Sequence, residues 1–456
     1  MNEPESNSYS VLAPGDVTIS GTDRRLQASV VMSMYVGYAY FMVLRSAPGA
    51  VVTAIRTDTG VTVEEWSRVL AVSTAGAVIG KFIGGILADT IGGGKTFTIG
   101  LLGCSLGIMA FGLSSTLAFF YTTFFMALMA KSFGWPAMTC VVGASFDSGE
   151  YGRVWGFLST SSRFGALLAT FGFGALIAVV SWQEVLLVAG GVGIGVAVLF
   201  GIVYAFARTR LAASRSSRQA DITQSAVLIE AEDPSHPLFG TSLPQAVRRF
   251  ALSPQFWLIT ISLTGMTIMW DFLQILSLFI QDTLRLSDSK AQMVAAAFPW
   301  GSLISVFASG FLFDSVSPRR MAWIMGGLLL LATGCVGTFY VMQFRSPPEG
   351  TAVGISVAIL FLYGVAIAPC YYIPMSVFSI RFGGPHAGFL VALLDAIAFG
   401  FNAVFQWFGG KVADASWSNF LILLGTIAFI AAATMFAFML GEARRYDKVR
   451  SASAVE

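Results

Sequence analysis

Arg45, Lys81, Lys131 and Arg163 interrupt long apolar runs, and so do two acids, Asp271 and Asp395. A charge at mid-bilayer depth costs roughly 2.5–3.5 kcal/mol on insertion scales, and such residues mark substrate or ion pathways by default. All four cations belong to the first half of the chain and both anions to the second. That balance leaves an excess of positive charge for a ligand to offset. Arginine presents a planar fork that grips phosphate or carboxylate at two points. The chemistry expected is therefore reversible capture of a small anion, centred on Arg45 and helped by Lys81 and Arg163. Asp271, Asp395 and Lys131 would serve charge pairing or proton coupling. A blander account fits the same residues. Arg45 with Asp271, and Arg163 with Asp395, would simply neutralise one another, while Lys81 and Lys131 would reach toward headgroups from span ends.

The elements that must carry these side chains are membrane helices. The chain has 456 residues, 55% of them hydrophobic and 11% charged, against about 25% charged in soluble domains. A span needs about 20 predominantly apolar residues. Twelve such runs fall near 27–55, 66–88, 95–115, 117–146, 154–180, 184–206, 254–281, 291–313, 321–343, 352–379, 387–410 and 418–441. They divide the chain into a polar tail (1–26), a six-helix half (27–207), a polar connection read as a flexible loop (208–250), a second six-helix half (251–442) and a tail (443–456). The basic residues outside the spans concentrate on the tails and the even-numbered loops, which places both termini in the cytoplasm. The polar first 26 residues show no cleavable signal peptide. A bacterial inner membrane is the expected location, and a eukaryotic organelle membrane also fits.

Several function classes drop out. A net charge of +2 gives no reason to expect nucleic acid as a partner. The two histidines, His236 and His386, lie outside the spans, and the four cysteines sit singly in apolar runs. No metal-ligand spacing and no catalytic constellation can be assembled from them, so neither an enzyme nor a cofactor is expected. No G-x-x-x-x-G-K-[ST] stretch is present for nucleotide binding.

The two halves resemble each other. GGILADTIGGGK (84–95) after span 2 answers to SGFLFDSVSPRR (309–320) after span 8, aligning Gly85 and Asp89 with Gly310 and Asp314. Ser181-Trp182 likewise matches Ser416-Trp417. Superposing the halves by this repeat sets Arg163 opposite Asp395 and Arg45 opposite Asp271. Pro48, Pro136, Pro299, Pro369 and Pro374 mark expected kinks, with Pro136 and Pro369 at repeat-related places on spans 4 and 10.

Twelve spans, a parallel repeat and two Gly-x-Leu-x-Asp loops followed by basic residues resemble the major facilitator superfamily. The resemblance implies an all-α membrane protein with 12 transmembrane helices in two pseudo-symmetric six-helix halves. It also implies that the loop residues Gly85, Asp89, Gly310 and Asp314 latch the cytoplasmic gate. Within that superfamily the chain is similar to the organophosphate:phosphate antiporters. The similarity is carried by Tyr40 to Arg45 with Pro48, IGKFIGGILAD (79–89), FGWPAMTCVV (133–142), GEYG (149–152), LSTSSRFGALL (158–168) and SWQEVLLVAG (181–190). It implies phosphoryl binding between an arginine of span 1 and a basic residue of span 7, with sugar phosphate exchanged for inorganic phosphate. Arg45 holds the first position, but the second falls on Met269, beside Asp271. Position on the lining spans adds Tyr38, Tyr40, Trp270, Gln274, Tyr371, Tyr372 and Asn402 as candidates to bond or stack on an organic moiety. The expected function is a monomeric secondary transporter of a small organic anion by alternating access, with phosphate as counter-substrate. A proton-coupled carboxylate carrier and a non-transporting ligand sensor are the competing readings.

Overall fold

Inside a bilayer no water can satisfy the backbone, so an apolar chain must form its own hydrogen bonds, and helices do so within each span. The computed structural model of the chain describes residues 21–113, 115–146, 151–219, 238–345, 348–383 and 386–453, and all regular structure among them is helical. Eleven helices are long and apolar enough to cross a membrane. They correspond to spans 1 (Arg24–Thr59), 2 (Val63–Ile91), 3 (Gly93–Gly112), 4 (Leu117–Val142), 6 (Trp182–Ala207), 7 (Pro254–Gln274), 8 (Asp288–Ser309), 9 (Pro318–Arg345), 10 (Glu349–Tyr371), 11 (Phe389–Ala415) and 12 (Trp417–Arg445). The expected fifth span is segmented. An α-helix over Tyr151–Leu167 runs into a π-helical turn at Leu168–Phe173 and ends in Gly174–Leu176, a continuous helical path that supplies the twelfth crossing.

The repeat is visible in the packing. Span 3 lies along span 6 as span 9 lies along span 12, span 2 along span 4 as 8 along 10, and span 1 along 5 and 6 as 7 along 11 and 12. The halves meet where span 2 packs on span 11 and span 5 on span 8. Exchanging the halves maps one of these seams onto the other. Close approach explains part of the glycine content. A Cβ at Gly80 of span 2 would overlap the Met129 carbonyl of span 4, and one at Gly301 of span 8 would overlap the Phe361 carbonyl of span 10.

Helix breaks stand beside three of the five expected prolines, Pro48, Pro136 and Pro299. The helix of span 1 pauses after Ala50, just past Pro48, and resumes at Val52. Span 4 breaks at Ser132–Phe133 and restarts at Gly134, ahead of Pro136. Span 8 breaks at Ala296, before Pro299. Span 10 continues as one helix through Pro369 and Pro374, so of the repeat-related prolines only Pro136 stands beside a helix break.

Two expectations about connections are corrected. The Gly-x-Leu-x-Asp segments are not loops: Gly85 and Asp89 occupy the last turns of the Val63–Ile91 helix, and Gly310 and Asp314 fall within Ala297–Ser315. The surroundings of Gly310 and the side chain of Asp314 lie outside the described residues. The apolar turns of each span continue the helical hydrogen bonding through the motif without a breaking residue. The ends of the polar connection are also helical, because span 6 extends to Gln219 and a short helix covers Leu243–Leu252. Phe250 and Ala246 of that short helix are fully buried, with Phe250 against Phe256 and Phe382.

The face formed by the odd-numbered loops is closed across the halves. Arg56 Nη1 donates to Asp282 Oδ1 (2.7 Å), Val63 N–H to Asp414 Oδ1 (3.1 Å) and Ser289 Oγ to the Gly174 carbonyl (2.6 Å). Within each half a tryptophan indole binds the loop acid: Trp182 Nε1 to Asp58 (3.0 Å), and its repeat mate Trp417 Nε1 to Asp282 (2.9 Å).

Candidate functional site

Arg45 lies in span 1, three residues before Pro48, and its Nη2 donates to Asp271 Oδ1 at 2.5 Å. Asp271 ends the α-helical part of span 7, where a 3-10 turn over Phe272–Gln274 follows. Its other oxygen accepts from Asn402 Nδ2 (2.6 Å) and Gln406 Nε2 (3.2 Å) of span 11. Gln406 Oε1 in turn accepts from Thr74 Oγ1 of span 2 at 2.9 Å. One carboxylate thus ties four spans, two from each half. The side chains of Arg45 and Asp271 are 11% and 3% exposed, so the pair is desolvated and stable only while every lone pair has a donor. A cavity of about 20 Å³ beside Asp271, lined in part by Ser67 and Asn402, has room for about one water.

A second ion pair lies further along the same seam, where Lys81 of span 2 meets Asp395 of span 11, each about a quarter exposed. The ring of Phe399, one turn beyond Asp395, is centred 4.1 Å from the Lys81 ammonium. Lys131 ends the first segment of span 4 with its ammonium 6.0 Å from the Tyr38 ring. Arg163 in span 5 is 1% exposed. Its Nη1 donates to Ser162 Oγ (2.6 Å), and its guanidinium stacks 4.8 Å from the Trp270 ring of span 7.

The two pairings expected from the repeat therefore fare differently. Arg45 and Asp271, 226 positions apart, do meet. Arg163 and Asp395 do not: Asp395 takes Lys81, because span 11 packs directly on span 2, while Arg163 on span 5 faces span 7. The lysine reading near headgroups is likewise replaced for Lys81 by a carboxylate partner.

Among the uncharged candidates, Trp270 lies against Arg163 and Tyr38 is buried between Lys131 and Trp135. The Tyr371 hydroxyl accepts from Thr267 Oγ1 (3.4 Å), and the Tyr372 side chain lies outside the described residues. Tyr40 is a correction. Its hydroxyl donates to the Ala189 carbonyl of span 6 (2.6 Å), which puts it in the span 1/span 6 contact and away from the charges. Gln274 is also taken up by packing. It is 5% exposed and its side chain is pressed against Gly49, while its backbone carbonyl accepts from Trp66 Nε1 at 3.2 Å. Met269, the position of the missing span-7 cation, is fully buried, and its carbonyl accepts from the Tyr363 hydroxyl (3.0 Å).

Thr74, Gln406 and Phe399 escaped the sequence reading, although a signal existed. Asp395, Phe399, Asn402 and Gln406 recur at three- and four-residue steps on span 11, and Ser67, Thr74 and Lys81 at seven-residue steps on span 2. Each set is one helix face. The two stripes run antiparallel and meet residue by residue from Ser67 against Gly410 to Lys81 against Asp395. Gly85 is open, with nothing near a would-be Cβ, and Asp89 lies 3.8 Å from the Cys140 thiol. Among the described residues no group of three His, Cys, Asp or Glu is placed to hold a metal.

Against known proteins, the family description Major Facilitator Superfamily matches residues 34–395. A probable hexose phosphate transport protein of Chlamydia trachomatis is 24% identical over 441 residues, covering 88% of each chain. The membrane sensor protein UhpC of Salmonella typhimurium is 22% identical over 435 residues, covering 91% of this chain and 92% of the relative. Among solved structures, a bacterial homologue of the human lysosomal transporter Spinster, inward-facing and occupied, superposes with a TM-score of 0.62 at 16% identity, covering 95% of this chain and 98% of that one. A mutant of the nucleoside transporter NupG superposes with a TM-score of 0.65 at 13% identity, covering 91% and 99%. At those identities the structural likeness bears on fold alone.

Proposed function

The chain belongs to the Major Facilitator Superfamily, and from that premise we propose that it is a secondary carrier of a small organic anion, a phosphate ester exchanged for inorganic phosphate. The observation that carries this reading is the two ion pairs that join the halves, Arg45–Asp271 and Lys81–Asp395, with two further cations, Arg163 and Lys131, on spans 5 and 4. Buried charge of that kind is retained where it serves a pathway. The sign of the excess selects an anion, and the phosphate-ester class is supported by the hexose phosphate transport relatives.

In this reading Asp271 and Asp395 hold Arg45 and Lys81 while the site is empty, so no naked cation faces lipid. An incoming dianion competes for the same donors, and Arg163 and Lys131 add attraction from spans 5 and 4. Because each pair joins the two halves, exchanging a carboxylate for a ligand changes the free energy of the interface between them. That is the differential interaction which alternating access requires. The carrier works as a monomer in a bacterial inner membrane, with both termini cytoplasmic. The sensor relatives give a second reading, in which the same ligand binds without flux.

The test is exchange in liposomes loaded with labelled phosphate and challenged with sugar phosphates, aryl phosphates and carboxylates. Wild type is compared with the charge-neutral double variant Arg45→Ala/Asp271→Ala, which avoids stranding one buried charge. Counterflow that disappears in the variant supports the antiporter. Binding without counterflow selects the sensor. Uptake of carboxylates driven by a pH gradient and indifferent to phosphate would sink the phosphate reading.

A further inference from the structure

Three of the four site cations lie against the face or edge of an aromatic ring. Lys81 meets Phe399 at 4.1 Å, Arg163 meets Trp270 at 4.8 Å and Lys131 meets Tyr38 at 6.0 Å. The rings come from spans 11, 7 and 1, so this is a property of the assembled site and of no single helix. A ring quadrupole steadies a desolvated cation without adding formal negative charge. Aromatic backing therefore leaves the positive excess available to a ligand, and it also decides what surrounds the rest of that ligand.

We propose that the organic part of the bound anion is an aromatic or similarly flat apolar group, and that polyhydroxylated bodies are discriminated against. The inference rests on the reading that an anion binds here, and it deepens that reading by naming the substrate class.

Two observations support it. First, Trp270 and Phe399, the rings beside Arg163 and Lys81, are only half-buried, with Trp270 also packed against the Phe298 ring. An aryl group there gains offset or edge-to-face contact. Second, several of the polar groups that a sugar would need are already engaged. The amides of Asn402 and Gln406 donate to Asp271, Thr74 donates to Gln406, and the Ser162 hydroxyl accepts from Arg163. Asn402 is wholly buried and Gln406 and Thr74 nearly so. A sugar would bring several hydroxyls out of water to meet ring carbons. A hydroxyl desolvated without a partner is penalised, whereas a flat apolar body loses no hydrogen bond on entry. This separates the chain from the hexose phosphate transport relatives, which share the fold at 24% identity.

The experiment crosses two head groups with two bodies. Purified full-length protein in lipid nanodiscs is titrated calorimetrically with phenyl phosphate, glucose 6-phosphate, benzoate and gluconate, with benzyl alcohol and glucose as uncharged controls. The inference expects the aryl member to bind at least tenfold more tightly than the polyol for whichever head group binds. Trp270→Leu should pull the aryl-to-polyol ratio toward one, and Phe399→Leu on span 11 should do the same if the first variant fails to fold. A polyol that binds as tightly as its aryl counterpart overturns the inference while leaving the anion reading intact. Charged members that bind no more tightly than their uncharged counterparts overturn the anion reading and, with it, the inference that rests on it. Binding by none of the six compounds overturns both.

Discussion

Deleting either partner of the Arg45–Asp271 pair should destabilise the protein far more than deleting both. The pair is closed by a 2.5 Å hydrogen bond, and the side chains are only 11% and 3% exposed, so solvent screening removes little of the effect. Removing one partner of such a pair costs about 3–5 kcal/mol because an uncompensated charge stays buried. The surrounding donors rank the two single variants. In Arg45→Ala, Asn402 and Gln406 still donate to the Asp271 carboxylate, which puts the cost near the lower end, about 3 kcal/mol. In Asp271→Ala, Arg45 keeps its charge and three donors lose their shared acceptor, which puts it near the upper end, about 5 kcal/mol. Unfolding entropy scales with chain length, so for a chain of this size each kcal/mol moves the midpoint by about 1 °C. Thermal unfolding of the detergent-purified protein should therefore show Asp271→Ala below Arg45→Ala, both several degrees below wild type. Arg45→Ala/Asp271→Ala should lie above both single variants. A double variant whose loss equals the sum of the two single losses would refute the coupling and, with it, the assignment of this pair as a closed buried unit.

Other perturbations separate structural from functional roles. The Lys81–Asp395 pair is about a quarter exposed, so Lys81→Gln should cost about 1 kcal/mol or less in stability yet abolish counterflow of anions in liposomes; retained counterflow would remove Lys81 from the site. Arg56→Ala should loosen the closed face, since the Arg56–Asp282 pair is 33% and 27% exposed and worth up to about 1 kcal/mol, a factor of about five in the open population. A Ser67→Cys reporter, buried against Gly410 in the closed form, should then react faster with an impermeant maleimide, and an unchanged rate would count against a latch. Gly80→Val should sharply lower the yield of monodisperse protein, because its side chain would overlap the Met129 carbonyl; a yield equal to wild type would show that spans 2 and 4 can part locally.

Much of the architecture was readable from residue types alone. Lys81 and Asp395 were both flagged as intramembrane charges, and Arg45 with Asp271 even as opposites under the repeat. What resisted prediction was choice of partner. Repeat arithmetic treats residues related by the pseudo-twofold axis as neighbours. That holds on the axis, where spans 1 and 7 bring Arg45 to Asp271, and fails off it, where span 11 has span 2 beside it. Tyr40 misled for a related reason: the aromatic type suits a binding face, but rotation of span 1 turns this hydroxyl onto the Ala189 carbonyl. The loop motif misled because Gly and Asp suggest a turn, whereas the helices of spans 2 and 8 carry on through Gly85 to Asp89 and Gly310 to Asp314.

By itself the sequence determined the membrane-spanning helices, the doubling of the chain and the presence of a cation-rich, acid-poor set of buried charges. These depend on short-range facts: apolar run length, and the need for each backbone group to find its partner within its own helix. The tertiary structure alone decided that Asp271 is shared among four spans, that Asp395 belongs to Lys81, and that three cations rest on aromatic rings from spans distant in the chain. Such pairings depend on how each helix is rotated and which neighbour it meets. Both are set by the close packing of all the spans together.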